Sequence, residues 1–372
     1  MGHRRPTWIR WWLLASFAAA CGSPDSGRDA GWQDGDVVQD PGDVGADPDA
    51  IPGDTGGDAP PAARTTLACP TPGPLPFVTQ AHAFENPETP DLVATYPFRL
   101  GANQDFVGGV GQDQVIQGSF VRGESGLVPT MPIAGEWVSL WRSSTDGTWQ
   151  PLGRVRTGED GTYAFTLDAA DRFGAGTHRV YAVLEGDGSC AGHAVILWPA
   201  HSRIVLTDID GTLTRSDDEL FQQLGDPSYD QVEAPSASDL MNAWTGKGYL
   251  AVYLTARPHY YRELSLNWLD AHGFPLGLMI TSETLTSGDS TTAYKAGELA
   301  HASGDLQWQT VAAYGNASTD IAAYEQEGIP KDETFIFGPL GGNAGTVAIP
   351  DTGYARHIAD YVASRPDAVQ PF

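Results

Sequence analysis

The chain has 372 residues and a mass of 39.6 kDa, which is enough for two ordinary domains with additional tails. It carries 47 Asp and Glu against 21 Lys and Arg, and this net charge of −26 argues against a nucleic-acid-binding protein, because binding phosphates needs a basic face. Three cysteines are too few for a disulfide-based scaffold or for a zinc site made of thiolates. The composition therefore predicts a soluble, acidic protein with two folded domains.

Residues 1–21 have the pattern of an export signal. Arg4, Arg5 and Arg10 make the start positive, and the apolar segment that ends before Cys21 is too short to span a bilayer. The pattern resembles a bacterial lipoprotein signal peptide. This resemblance implies that Cys21 is acylated and that the protein is exported and lipid-anchored to the cell envelope, on its periplasmic or outer-membrane face. The alternative is ordinary signal peptidase cleavage, which would release a free exported protein.

Residues 22–66 are predicted to be a disordered acidic linker, since they consist mainly of Gly, Asp, Pro and Ala. Residues 67–199 are predicted to form an all-β domain, because short runs with period-two patterning alternate with turn residues. The clearest runs are 115–120, 136–141, 163–167 and 179–184. Their spacing predicts an immunoglobulin-like or transthyretin-like sandwich. Cys69 and Cys190 lie near its two ends, and they are either a disulfide pair or two free thiols.

From residue 203 the pattern becomes that of an α/β domain, predicted over residues 200–372. Residues 203–207 are a continuous apolar, β-branched run, as expected of a strand buried on both faces of a parallel sheet. Helical stretches over 239–247, 259–272, 292–303 and 320–327 alternate with apolar strands over 249–254, 276–280, 311–314 and 334–337. This alternation predicts a doubly wound parallel sheet, in which functional groups gather at the carboxyl ends of the strands.

Two carboxylates follow the first of these strands, in the string DIDGTLT over residues 208–214. Asp208 and Asp210 are expected to face the same crevice, and Gly211 lets the chain turn sharply behind them. The string resembles the first motif of the haloacid dehalogenase superfamily of phosphotransferases. This resemblance implies that Asp208 is the nucleophile, which becomes a transient aspartyl-phosphate, and that Asp210 is the general acid and base.

Three further pieces follow in the order that this superfamily requires, namely YLTARP over 253–258, TAYK over 292–295 and YGNASTD over 314–320. The resemblance implies phosphate-binding roles for Thr212, Thr255, Arg257 and Lys295. It also implies a Mg²⁺ cofactor held by Asp208, the main-chain carbonyl of Asp210, Asn316 and Asp320. Taken singly, Lys295 could be a surface lysine and Asp320 a helix N-cap, but four pieces in the correct order favour the site.

The motifs resemble those of two groups of relatives. The strings DIDGTLT, YLTAR and GN with TD are similar to those of lipins, which are Mg²⁺-dependent phosphatidate phosphatases. Residues 272–277, 312–315 and 320–324 resemble more closely the C-terminal domain of membrane-associated phosphatidylinositol transfer proteins, the retinal degeneration B group. There, too, a β-sandwich precedes the α/β domain. Together the resemblances imply a haloacid dehalogenase-type sheet, and the intervals between motifs leave no room for a large cap domain.

These two relatives imply different functions. Lipins hydrolyse phosphatidate, whereas the transfer-protein domain is regarded as a phosphatidic-acid-binding module without established catalysis. Because every group needed for phosphoryl transfer is kept, we predict a phosphatase that acts on phosphatidate or a related phosphomonoester at a phospholipid membrane surface. An open site suits such a bulky substrate. Two alternatives remain, a non-catalytic phosphatidic-acid-binding module and a general phosphatase acting on soluble or protein-bound phosphate.

Overall fold

The computed structural model describes residues 83–124, 131–143, 149–226 and 228–372, which all belong to one compact unit spanning residues 59–372. The predicted signal peptide, the linker, Cys21 and Cys69 lie outside these ranges, so what the sequence predicts for them stays a prediction. Cys190 is disulfide-bonded, and its partner lies outside the described residues. None of the helices in these ranges combines the length and apolar composition needed to cross a membrane.

The first half of the described chain is a β-sandwich, as its period-two pattern predicts. Its elements are α1 (Thr89–Thr95), β1 (Phe98–Leu100), β2 (Phe106–Val107), β3 (Val115–Ser119), β4 (Val121–Gly123), β5 (Met131–Pro132), β6 (Trp137–Ser143), β7 (Trp149–Arg156), β8 (Thr162–Thr166), β9 (Gly176–Leu184) and β10 (Ser189–Leu197). The largest sheet has the strand order β2-β10-β9-β6-β7, and the smaller sheets are β1-β4-β5 and β3-β8. The short helix α1 lies outside the predicted elements.

Strand β10 belongs to two hydrophobic cores at once. All nine of its residues are buried. Val195 packs into the sandwich core, whereas Ala194 and Ile196 on the opposite face pack against Ile204 and Leu206 of the following domain. Since successive side chains of a strand point to opposite faces, a strand covered on both sides has no polar face. The sandwich and the α/β domain are therefore joined by a shared core.

The second half is an α/β domain with a six-stranded sheet in the order β13-β12-β11-β14-β15-β16, in which all neighbouring strands are parallel. Its strands are β11 (Arg203–Thr207), β12 (Leu250–Pro258), β13 (Leu278–Ser282), β14 (Gln309–Gly315), β15 (Thr334–Phe337) and β16 (Val347–Ile349). Its α-helices are α2 (Glu219–Gly225), α3 (Ala237–Gly246), α4 (Arg262–Ala271), α5 (Asp289–Ala300), α6 (Ser318–Gln326) and α7 (Ala355–His357).

Helices cover both faces of this sheet. Val205 of β11 packs in one core with Trp244 of α3 and Trp268 of α4. Ile204 and Leu206 of β11 face the core on the other side of the sheet, which includes Leu299 of α5 and Tyr324 of α6. The prediction of a doubly wound parallel sheet agrees with this arrangement.

The predicted elements differ from the observed ones mainly at their ends. Strand β15 occupies the residues predicted for it, whereas the helix predicted over 259–272 is divided into a 3₁₀ turn over 259–261 and α4. Helix α2 was not predicted, because a seven-residue helix with only Leu220 and Leu224 as buried apolar residues is too short to show a helical period. The three-residue strand β16 was missed for the same reason.

Candidate active site

Three neighbouring strands bring the motifs to one edge of the sheet. Asp208 directly follows β11, Thr255 lies in the last part of β12, and Asn316 directly follows β14. Because β12, β11 and β14 are adjacent and parallel, their carboxyl ends meet. The main-chain N–H of Asp208 donates to the carbonyl of Tyr314 at 3.0 Å, which ties the end of β11 to that of β14. The structure therefore brings these motifs together, as the sequence predicts.

Lys295 on α5 connects Asp208 with Asp320. Its Nζ is 2.9 Å from Asp208 Oδ1 and 2.6 Å from Asp320 Oδ1, and all three side chains are buried. Burial raises the pKa of Asp208 to about 7, against the opposing effect of the lysine. Burial acts to lower the pKa of Lys295, but the two carboxylates outweigh it and the pKa is raised. The lysine therefore keeps its charge inside the site and is not the surface residue of the alternative interpretation.

Asp320 fixes the loop that carries Asn316. It is completely buried in the first turn of α6, and its Oδ2 accepts the main-chain N–H groups of Asn316 and Ala317, both at 3.0 Å. Its Oδ1 accepts a hydrogen bond from Lys295 at 2.6 Å. Since both carboxylate oxygens are engaged, Asp320 has the geometry of an anchor for this loop and for the lysine.

Asp210 faces two of the side chains predicted to bind phosphate. Nε of Arg257 lies 3.0 Å from both carboxylate oxygens of Asp210, and Nη2 lies 2.7 Å from Oδ1. The hydroxyl of Thr255 donates to Oδ2 at 3.3 Å and accepts the main-chain N–H of Arg257 at 3.2 Å. Arg257 and Thr255 therefore both contact the carboxylate of Asp210.

The turn behind the two aspartates packs against Asn316 and a further carboxylate, Asp217. Nδ2 of Asn316 donates to Asp217 Oδ1 at 2.8 Å, and the Thr212 hydroxyl donates to Asn316 Oδ1 at 3.4 Å. Asp217 was not among the predicted site residues. Asp217 lies shortly after the DIDGTLT string, which is a sequence signal that could have identified it. The sequence does not show, however, that the intervening loop turns this carboxylate toward Asn316.

Replacing Gly211 by alanine is expected to destabilise the protein by about 2–4 kcal/mol. Gly211 has φ of +64°, and an added Cβ would lie far inside contact distance of Asn316 Nδ2 and Asp217 Oδ1. Urea unfolding measures the loss. Gly273→Ala is the matched control, because Gly273 has φ of +73° but open space around the added Cβ, so about 1–2 kcal/mol is expected there. Equal losses at the two positions would show that the close contact at Gly211 carries no cost.

The oxygens around Asp208 fit Mg²⁺ in kind. In the part of the chain that the structure describes, no group of three His, Cys, Asp or Glu side chains is arranged to hold a metal ion. The predicted set differs from such a group, because it includes an amide and a main-chain carbonyl. Within the described residues, Asn316 Oδ1 accepts one long hydrogen bond, from Thr212 at 3.4 Å. It is a hard oxygen suited to Mg²⁺, as are those of Asp208 and the carbonyl of Asp210. Asp320 already accepts three hydrogen bonds with its two oxygens, so this geometry favours an anchoring role for it, and its predicted contact with the metal stays a prediction.

Two family models match the two halves of the structure. Residues 102–197 match the model described as PITM 1-3, beta-sandwich domain, and residues 205–338 match PITM 1-3, LNS2 domain. Among solved structures, a chain of the Pnkp1/Rnl/Hen1 RNA repair complex aligns with 40% of this chain and 49% of its own length, at 15% identity and a TM-score of 0.30. That similarity is too low to bear on fold or function.

Curated relatives agree with the family models. Membrane-associated phosphatidylinositol transfer protein 3 of Homo sapiens is 28% identical over 254 residues, which are 68% of this chain and 25% of that protein. Protein retinal degeneration B of Drosophila melanogaster is 27% identical over 262 residues, 69% of this chain and 20% of that protein. The chain thus spans about a quarter or less of the length of these relatives. The resemblance to the membrane-associated phosphatidylinositol transfer proteins is confirmed: this chain is a homologue of these proteins, with their β-sandwich domain at residues 102–197 and their LNS2 domain at residues 205–338.

Proposed function

We propose that this protein is a Mg²⁺-dependent phosphomonoester hydrolase of the haloacid dehalogenase type, which acts on phosphatidate or a related membrane-presented phosphate. One observation carries the proposal: Asp208, at the carboxyl end of the central strand, is buried at 2.9 Å from Lys295, which in turn contacts Asp320. A nucleophilic carboxylate beside a permanent positive charge is what in-line transfer of a phosphoryl dianion needs. Lipid anchoring through Cys21 in the cell envelope would bring this site to a membrane surface.

In the proposed reaction, a carboxylate oxygen of Asp208 attacks phosphorus as the bond between phosphorus and the ester oxygen breaks. Asp210 gives its proton to that leaving oxygen, which departs as the alcohol. A water molecule, which loses a proton to Asp210, then attacks the phosphorus of the aspartyl-phosphate. The acyl-phosphate bond breaks, Asp208 is regenerated and inorganic phosphate leaves. Lys295 balances the charge that gathers on Asp208 and the phosphoryl oxygens in both steps.

Asp208, the main-chain carbonyl of Asp210 and the amide oxygen of Asn316 would hold Mg²⁺. When bound, the ion would neutralise charge on the phosphoryl group. Asp320 contributes indirectly, because it anchors the loop of Asn316 and the ammonium group of Lys295. Thr212 contacts Asn316 and would orient its amide oxygen.

A second candidate function is a phosphatidic-acid-binding module without turnover. The contact that favours it is the pairing of Asp210 with Arg257, because the guanidinium group already occupies the carboxylate that catalysis needs for exchanging a proton with the leaving oxygen and with water. The relative from Homo sapiens is named as a phosphatidylinositol transfer protein, which also links this family to phospholipid, although the present chain covers only 25% of that protein.

Phosphate release from a panel of substrates separates these functions. We expect release from vesicles containing phosphatidate in Mg²⁺, and none in EDTA or from vesicles of phosphatidylcholine alone. Sugar phosphates and nucleotides, tested at equal phosphate concentration, should be hydrolysed more slowly, because they lack a membrane surface that concentrates substrate. Co-sedimentation with phosphatidate vesicles without any phosphate release would select the binding module. Faster release from the soluble phosphates would select a general phosphatase.

A further inference from the structure

We infer that Arg257 is a positioning residue, which fixes the carboxylate of Asp210 and does not itself bind the phosphoryl group. The inference deepens the proposed function and rests on it for the role of Asp210. It differs from the expectation for Arg257 that the superfamily resemblance implied, which was a direct contact with phosphate.

The hydrogen bonds of Arg257 are almost fully used inside the protein. A guanidinium group has five N–H donors. Nε and one N–H of Nη2 donate to Asp210, the other N–H of Nη2 donates to Gln231 Oε1 at 2.7 Å, and Nη1 donates to Ser265 Oγ at 2.8 Å. Four donors are therefore engaged, and a phosphate could be bound only by breaking some of these bonds.

Exposure separates the two members of this pair. The side chain of Asp210 is 23% exposed, whereas that of Arg257 is 1% exposed. A phosphomonoester that enters from the crevice can therefore reach the carboxylate, while the guanidinium group lies behind it. A buried cation that forms two parallel hydrogen bonds with a carboxylate restricts its rotation strongly, which is how a catalytic side chain is held in one orientation.

The partners that hold Arg257 are themselves fixed. Gln231 is buried, its side-chain amide donates to Gln223 at 2.7 Å, and its main-chain carbonyl accepts from Trp268 Nε1 at 2.8 Å. Ser265 is completely buried on α4, and its hydroxyl donates to the carbonyl of Tyr261 at 3.1 Å. Arg257 thus transmits to Asp210 a position set by α4 and by the segment between α2 and α3.

The role of Arg257 can be measured with two substrates that differ in their need for an acid. The leaving group of an alkyl phosphate is an alkoxide, which needs a proton from Asp210. The leaving group of 4-nitrophenyl phosphate is a stable phenolate, which does not need one. For Arg257→Lys, we expect kcat/KM to fall roughly 10- to 100-fold with the alkyl phosphate and less than about threefold with the aryl phosphate. Asp210→Asn should show the same selectivity with a larger loss. Lysine keeps the charge but cannot contact Asp210, Gln231 and Ser265 together.

Affinity for inorganic phosphate, measured by inhibition or by thermal shift, is expected to change less than about twofold in Arg257→Lys. Ser265→Ala removes one hydrogen-bond partner of the guanidinium group and should reproduce the selective loss of kcat/KM to a smaller degree. This variant provides the test if Arg257→Lys does not fold. Arg356→Lys, at an exposed arginine on α7, is the control that should leave both rates unchanged.

Equal losses with both substrates, together with a tenfold or larger loss of phosphate affinity, would overturn the inference and make Arg257 a direct phosphate ligand. If the parent protein shows no turnover at all, the proposed function fails. The phosphate affinity of Arg257→Lys then decides by itself whether Arg257 positions Asp210 or binds phosphate. An unchanged affinity supports the positioning role, and a lost affinity contradicts it.

Discussion

Substitution of Asp208 by asparagine is expected to reduce phosphate release from phosphatidate vesicles by at least roughly 10⁴-fold. The amide has nearly the same shape as the carboxylate but cannot attack phosphorus, so no aspartyl-phosphate forms. Lys295 keeps Asp320 as a charged partner at 2.6 Å, which should preserve the packing of the site. Phosphate release in Mg²⁺ and thermal unfolding of the same preparations separate loss of chemistry from loss of fold.

The matched control for this substitution is Asp332→Asn, which removes an exposed carboxylate from the 3₁₀ turn over 331–333. Its rate should equal that of the parent, since surface charges of this kind contribute little. A parent-like rate for the folded Asp208→Asn protein would exclude Asp208 as the nucleophile. It would also remove the reason for assigning Asp210 the acid and base role, because that role depends on the spacing between them.

Substitution of Asp105 by asparagine is expected to lower the free energy of unfolding by about 3–5 kcal/mol. The Asp105 side chain is 2% exposed and forms a salt bridge with the equally buried Arg262 of α4. Its carboxylate also accepts the main-chain N–H of Ala194 in β10 at 2.6 Å and that of Met279 in β13 at 2.9 Å. One sandwich residue thus joins three elements, two of them in the α/β domain.

An asparagine at position 105 cannot satisfy this environment, because every partner of the carboxylate is a donor. Whichever way its amide is turned, the NH₂ group meets an N–H of Arg262, Ala194 or Met279. The buried Arg262 also loses the nearer of its two carboxylate partners and keeps only Glu263, at 3.4 Å. Urea unfolding at neutral pH measures the effect.

Glu85→Gln is the control for Asp105→Asn, since it breaks an ion pair with Arg156 in which both side chains are about half exposed. A loss below about 1 kcal/mol is expected for it. A similarly small loss for Asp105→Asn would mean that the buried pair stabilises the junction no more than a surface pair does. We expect a single unfolding transition in both variants, because β10 packs into the cores of both domains.

The sequence predicts which residues come together at the edge of the sheet because its motifs are local. Asp208, Asp210 and Gly211 form one short string at a strand end, and Asn316 and Asp320 form another. In a parallel sheet the carboxyl ends of adjacent strands meet, so recognising the strands was enough to expect these residues together. The convergence of Lys295 with Asp208 followed only from the resemblance, since the spacing of a helix residue does not tell which strand it faces.

The local motifs do not predict which way the polar side chains of the site point. Arg257 and Asp210 are 47 positions apart, and the guanidinium group turns toward the carboxylate because Gln231 and Ser265 hold its other donors. Those two supports come from different segments whose packing depends on the whole domain. The contact of Asp217 with Asn316 likewise depends on the path of the loop after the first motif.

By itself, the amino-acid sequence determined the order of a β-rich and an α/β region, the parallel sheet and the identity of the acidic and amide groups at its edge, because these follow from local periodicity and short strings. Only the tertiary structure decided that β10 is buried on both faces, that Asp105 joins the two domains, and that Arg257 holds Asp210. Each of those features is a contact between segments far apart in the chain. Such contacts are selected by packing and by the need to pair every buried charge, and no local pattern encodes them.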